Sequence, residues 1–98
     1  MSLSVTFHRA AWAEFVDAAA WYEARRLGLG VEFIAEIEQC VAFAAEQPQL
    51  YEVVYKNVRH VTARRFPFSV YFRAEAQRIV VLSIFHGNRN PVVWQRRK

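Results

Sequence analysis

The chain has 98 residues, 54% of them apolar and 15% aromatic, with 13 Lys and Arg against 9 Asp and Glu for a net charge of +4. That is the usual size of one domain with enough apolar residues for a core; the single cysteine, Cys40, excludes an internal bridge, and no apolar run approaches the ~18 residues of a membrane span. The segment Met1-Ser2-Leu3-Ser4-Val5 lacks the basic-then-apolar pattern of a secretory signal, so a cytoplasmic protein with no membrane association is expected.

Leu3, Val5 and Phe7 alternate with Ser4, Thr6 and His8, the period of a half-buried strand. From Arg9 to about Leu27 the spacing becomes helical, with Trp12, Phe15, Val16, Ala19 and Tyr22 recurring at three and four residues and no Pro or Gly between them. On that spacing Trp12 is expected inside, and Trp21 or Tyr22 at a rim. Leu27-Gly28-Leu29-Gly30 ends this helix and reverses the chain. A second helix is expected from about Val31 to Glu46, with Ile34, Ile37, Val41 and Ala44 or Ala45 on one stripe and Pro48 preventing its continuation.

The remaining sequence supplies a flat partner for this helical hairpin. Val54 to Arg65 alternates loosely, and Phe66 to Arg73 places Phe68, Val70 and Phe72 on one face, with Pro67 at the strand start. Arg78 to His86 carries an apolar run with no clean polar face, which marks a strand interior to the sheet. Glu75-Ala76-Gln77 is the hairpin interval between the last two. After Gly87 the chain is irregular, and Pro91-Val92-Val93-Trp94 either starts a short C-terminal helix or packs across the sheet. The expected fold class is therefore α+β: an N-terminal strand, an antiparallel α-helical hairpin, then a three-stranded antiparallel meander completing a twisted sheet, all in one domain over 1–98.

Charge divides the chain in two. Residues 1–54 hold three arginines against eight acids, a net of −5, whereas residues 55–98 hold eight Arg and two Lys against Glu75 alone, a net of +9. Such asymmetry suits nucleic acid or an acidic partner, and the predominance of Arg favours planar, bidentate contact with phosphate or carboxylate. The alternative is that the basic strands complement the acidic helices within one fold. Arg59 and Arg65 share a side on a period of two, and paired with Arg73 across the hairpin, beside Arg64, they form an expected positive sheet surface. Arg96-Arg97-Lys98 reads as a solvated tail. His86, three residues before Arg89, is the best acid/base-plus-clamp pair in the chain; a His ending a strand also fixes turns. His8 and His60 have no companion at ligand spacing, so no metal and no cofactor are expected.

Four local patterns, Ala20-Trp21-Tyr22-Glu23, Leu29-Gly30-Val31-Glu32-Phe33, Arg64-Arg65-Phe66-Pro67-Phe68-Ser69-Val70-Tyr71-Phe72 and His86-Gly87-Asn88-Arg89-Asn90-Pro91-Val92-Val93-Trp94, follow one another in this order. In order and spacing they resemble the RelE/ParE superfamily of toxins, in particular its plasmid-stabilisation branch. The resemblance implies a toxin held inactive by a cognate antitoxin in a hetero-oligomer. It implies one of two targets, since ParE-like members poison DNA gyrase and RelE-like members cleave messenger RNA on the ribosome. A third alternative is a non-toxic relative that binds antitoxin only.

Laid on the ribosome-dependent branch, Ser69 stands where that branch has a catalytic Arg and Trp94 near its catalytic Tyr. Serine cannot clamp a phosphate, and an indole N–H only donates. The ParE-like alternative, a gyrase inhibitor causing growth arrest, is therefore favoured. Its expected target-binding residues are Arg59, Arg64, Arg65, Arg73, Arg89 and Trp94. Were the chain an enzyme, it would be a metal-independent endoribonuclease using His86, Arg89 and Arg65.

Overall fold

A computed structural model describes residues 2–87 and 90–97. The elements are β1 (Ser4–Phe7), α1 (Arg9–Arg25), α2 (Leu29–Glu46), a 3-10 turn at Pro48–Leu50, β2 (Val53–Tyr55), β3 (Val58–Thr62), β4 (Phe68–Ala74), β5 (Arg78–His86) and α3 (Val92–Gln95). The five strands form one sheet in the order β1-β5-β4-β3-β2, with β1 parallel to β5 and the other pairs antiparallel. The α+β expectation holds, with β5 interior. Among the described residues no helix is long and apolar enough to cross a membrane.

The helical hairpin is set by a few local bonds. His8 Nδ1 accepts the Ala10 N–H at 3.0 Å and caps α1. At its other end the Glu23 carboxylate accepts the N–H groups of Gly28 (2.8 Å) and Gly30 (2.9 Å), which fixes the reversal and lets α2 begin at Leu29, two residues earlier than the glycine spacing suggested. Gly28 takes φ +89°, a conformation open to glycine. Gly30 serves a different need: a Cβ there would stand 2.5 Å from the Ala19 carbonyl oxygen, so its absence lets the two helices touch.

The meander has four strands rather than three. The run from Val54 to Arg65 turns back at Lys56-Asn57, with Lys56 at φ +51°, so β2 and β3 form a short hairpin of their own. The strand also stops at Thr62 instead of Arg65, because the Glu36 carboxylate on α2 draws the Arg64 and Arg65 N–H groups out of the ladder.

Both sheet faces are packed. The helix-side core joins Phe15, Phe33, Ile37 and Val41 to Val70, Phe72, Ile79, Val81 and Ile84. On the far face Val58, Val80, Leu82 and Phe85 are covered by Trp94 of α3. A bulge at Leu82, between the pairs Phe72↔Val81 and Tyr71↔Ser83, shifts the alternation of β5.

One expectation about α1 is overturned. Trp12 is 53% exposed, while Ala11 and Phe15 occupy the core positions. Alanines seat α1 close to its neighbours and leave the larger ring at the flank, edge-on to Phe7 at 5.4 Å and to Phe15 at 5.7 Å.

Candidate functional site

The arginines expected to share one positive surface do not. Arg59 lies opposite Phe72, on the helix side, and donates to the Tyr51 carbonyl at 2.6 Å. Arg73 lies opposite Val58, on the far face, and is bound to Glu75 at 3.2 Å. Arg65 sits in the loop after β3, paired with Glu32 of α2. Arg64 is exposed beside it and makes no ion pair through its side chain among the described residues. Opposite members of an antiparallel pair share a face, so the β3–β4 register itself separates Arg59 from Arg73. Trp94 is likewise corrected as a docking side chain: it is 2% exposed and stacks on Tyr71 at 4.1 Å. Arg89 lies outside the described residues.

Much of the basic half serves the fold. Arg97, expected in a solvated tail, donates through both terminal nitrogens to Glu14 of α1 (3.0 and 2.9 Å) and to the Leu82 carbonyl (2.8 Å). Glu14 also accepts the Ser83 hydroxyl at 2.8 Å and the Ile84 N–H at 3.1 Å. The pair thus satisfies the edge of β5 beyond Val81, the last residue that β1 covers. No sequence signal marks it, since the partners are 83 positions apart.

Two half-buried carboxylates hold arginine clusters. The Arg65 hydrogen bond holds Glu32 below the ordinary carboxylate pKa, with Arg26 adding to it. Arg78, helped by Arg73, does the same for Glu75. Because the folded values are depressed, this stabilisation is present above the ordinary value and is lost as pH falls through the lowered ones. The melting temperature should therefore drop as pH is lowered below about 4.5, and the double change Glu32→Gln with Glu75→Gln should flatten that dependence. Parallel melting curves of parent and variant against pH would contradict this.

His86 lies in a groove of ≈ 550 Å³ between α1 and the β4–β5 end of the sheet, lined by Glu14, Asp17, Ala18, Trp21, Tyr22, Pro67, Phe68, Ile84 and His86. Its walls follow from the helical period, which places Glu14, Asp17, Ala18 and Trp21 on one flank of α1. The His86 ring meets Phe68 edge-on at 5.2 Å. Trp21 is 53% exposed, with the Arg25 guanidinium 4.0 Å above its ring, and burial raises the Tyr22 phenol pKa. The charged groups in this lining are carboxylates, and no Lys or Arg is among the described residues that form it. Such a groove suits an apolar anchor. Asp17 was not singled out in the sequence; its one signal is the spacing of three from Glu14, which puts the two acids on one flank of α1.

The outer surface of α1 continues from this groove. Ala13, Ala20 and Ala24 are exposed between Trp21 on one flank and Trp12 with Val16 on the other, so most of the helix's solvent face is apolar. An exposed apolar strip of this kind, bordered by two indoles, ordinarily marks a contact surface.

The element order, the hairpin over one sheet face and the C-terminal segment packed on the other define a RelE/ParE-type α+β protein. Over residues 5–91 the sequence matches the family described as the ParE toxin of type II toxin-antitoxin system, parDE, and the chain belongs to that family. A solved structure described as "Chromosomal ParDE TA system from P. aeruginosa" superposes with a TM-score of 0.73 at 22% identity, covering 87% of this chain and 96% of that one, which establishes likeness of fold. No curated protein matches the sequence.

Proposed function

We propose that this toxin acts in the cytoplasm by inhibiting DNA gyrase or a similar essential target, and that a cognate antitoxin neutralises it by covering the outer face of α1. The observation that carries the antitoxin part is the uncovered apolar face itself: alanines bordered by Trp12, with 53% exposure, and Trp21, also 53%. Small residues allow a second helix to approach closely, and the two indoles provide anchors at its borders. Family membership supports the toxin assignment.

A binding mode without catalysis suits the residues present. Ser69 is buried and shares a 3.1 Å hydrogen bond with Thr62, Trp94 is packed, and the groove that contains His86 is acidic.

Expression of the chain alone should arrest growth, and co-expression with the antitoxin from an adjacent reading frame should relieve it. The purified chain should inhibit gyrase supercoiling while leaving ribosome-bound message intact. Message cleavage would overturn the target assignment. Amide-exchange protection confined to the C-terminal segment on adding antitoxin would overturn its placement on α1.

A further inference from the structure

The far face of the sheet holds a second hollow, ≈ 400 Å³, that differs from the acidic groove in every charge. Lys56 and Asn57 of the β2–β3 turn, Arg73 of β4, and Gln95, Arg96 and Arg97 at the end of α3 converge on it, and no carboxylate is among its described lining residues. They are distant in sequence. The pairing Val58↔Arg73 brings the β2–β3 turn beside Arg73. Trp94, stacked on Tyr71 and 6.0 Å from the Tyr55 ring, seats α3 so that the three residues after it reach the same rim.

Two of the four cations already have counter-charges just outside the hollow, Arg73 on Glu75 and Arg97 on Glu14. Arg96 and Lys56 have no carboxylate partner among the described residues, and both are exposed. The Lys56 ammonium lies 5.2 Å from the centroid of the Tyr55 ring. Gathering four like charges around one concavity is unfavourable unless an anion shares it, and Glu75 and Glu14 offset half. Two uncompensated cations, two carboxamides and an aromatic ring at the rim form a set that meets phosphates by charge, donates hydrogen bonds to their oxygens and offers a ring to a base. An acidic peptide would use the charge and the hydrogen-bond donors but not the ring.

We propose that this hollow binds the phosphodiester backbone of a nucleic acid. The proposal goes beyond the toxin's action on its protein target and does not rest on it, because binding can be measured with the purified chain and no gyrase or antitoxin.

The test is fluorescence anisotropy of the intact chain with short labelled duplex DNA, single-stranded DNA and single-stranded RNA, and with a labelled polyglutamate peptide, over a range of salt. Binding to at least one nucleic acid should weaken with salt, and the strongest of the three identifies the source of the backbone. The double variant Lys56→Ala, Arg96→Ala should bind about tenfold more weakly and reduce the salt slope by about two. Arg9→Ala, which removes an exposed cation at the start of α1, should leave binding unchanged. Both altered residues of the double variant are exposed, and an unchanged melting curve shows that it folds. No binding at low salt, an equal loss in Arg9→Ala, or tighter binding of polyglutamate than of any nucleic acid would each overturn the proposal.

Discussion

Replacing Glu14 by alanine is expected to cost about 3–5 kcal/mol of folding stability, read as a lowered midpoint of urea denaturation. The carboxylate and its partner Arg97 keep only 16% and 12% of their side-chain surface in water. Truncation would leave the guanidinium buried without its counter-charge, and the Ser83 hydroxyl and Ile84 N–H without an acceptor. That is a large share of the ~5–15 kcal/mol by which a domain of this size is stable. Glu14→Gln, which keeps an acceptor oxygen, should lose less. Because Arg97 ties the end of α3 to the sheet, Trp94 fluorescence in Glu14→Ala should also shift toward that of a solvated indole. A loss below ~1 kcal/mol would mean that water replaces the carboxylate at this edge.

Phe33→Ala should be comparably costly, about 3–5 kcal/mol, since a fully buried ring is removed from the middle of the helix-side core. Phe33 lies 5.2 Å from Tyr22, 5.2 Å from Phe66, 5.1 Å from Phe68 and 6.1 Å from Phe15. Tyr22 and Phe68 are also walls of the aromatic groove. The cavity should therefore loosen the groove as well as lower the denaturation midpoint, and Phe33→Leu should recover most of both. An unchanged midpoint would show that the neighbouring rings collapse into the space.

This aromatic cluster also explains what the four sequence patterns of the family do. Tyr22 comes from the first, Phe33 from the second, and Phe66 and Phe68 from the third, and all meet around one point. Glu23 of the first pattern holds the N–H groups of Gly28 and Gly30, and Glu32 of the second holds Arg65 of the third. Trp94 of the fourth stacks on Tyr71 of the third. The motifs that make the family legible are thus largely contacts between elements. They hold the fold together by joining elements that are distant in sequence.

The basic half shows the same division. Its composition suggested one docking surface. In the fold Arg65 and Arg97 return to acids of the helical half, Arg73 and Arg78 share Glu75, and Arg59 turns to a backbone carbonyl. The alternative that basic strands complement acidic helices accounts for part of the asymmetry. Lys56 and Arg96 remain as the cations of the far-face hollow without a carboxylate among the described residues, 40 residues apart and unremarkable in sequence.

Local sequence determined the elements, because periodicity, glycines and prolines act through bonds to residues only a few positions away. It placed both helices, the interior strand β5 and Trp21 at a rim. Only the tertiary structure decided the end of the Val54 to Arg65 run at Thr62, the exposure of Trp12 and the burial of Trp94 and Arg97. Each of those depends on a partner far along the chain: Glu36 drawing in the loop after β3, alanines seating α1, and Glu14 reaching the end of the molecule. Which arginines face solvent was decided there too, since sheet register assigns each side chain to a face and a long-range carboxylate then takes it or leaves it.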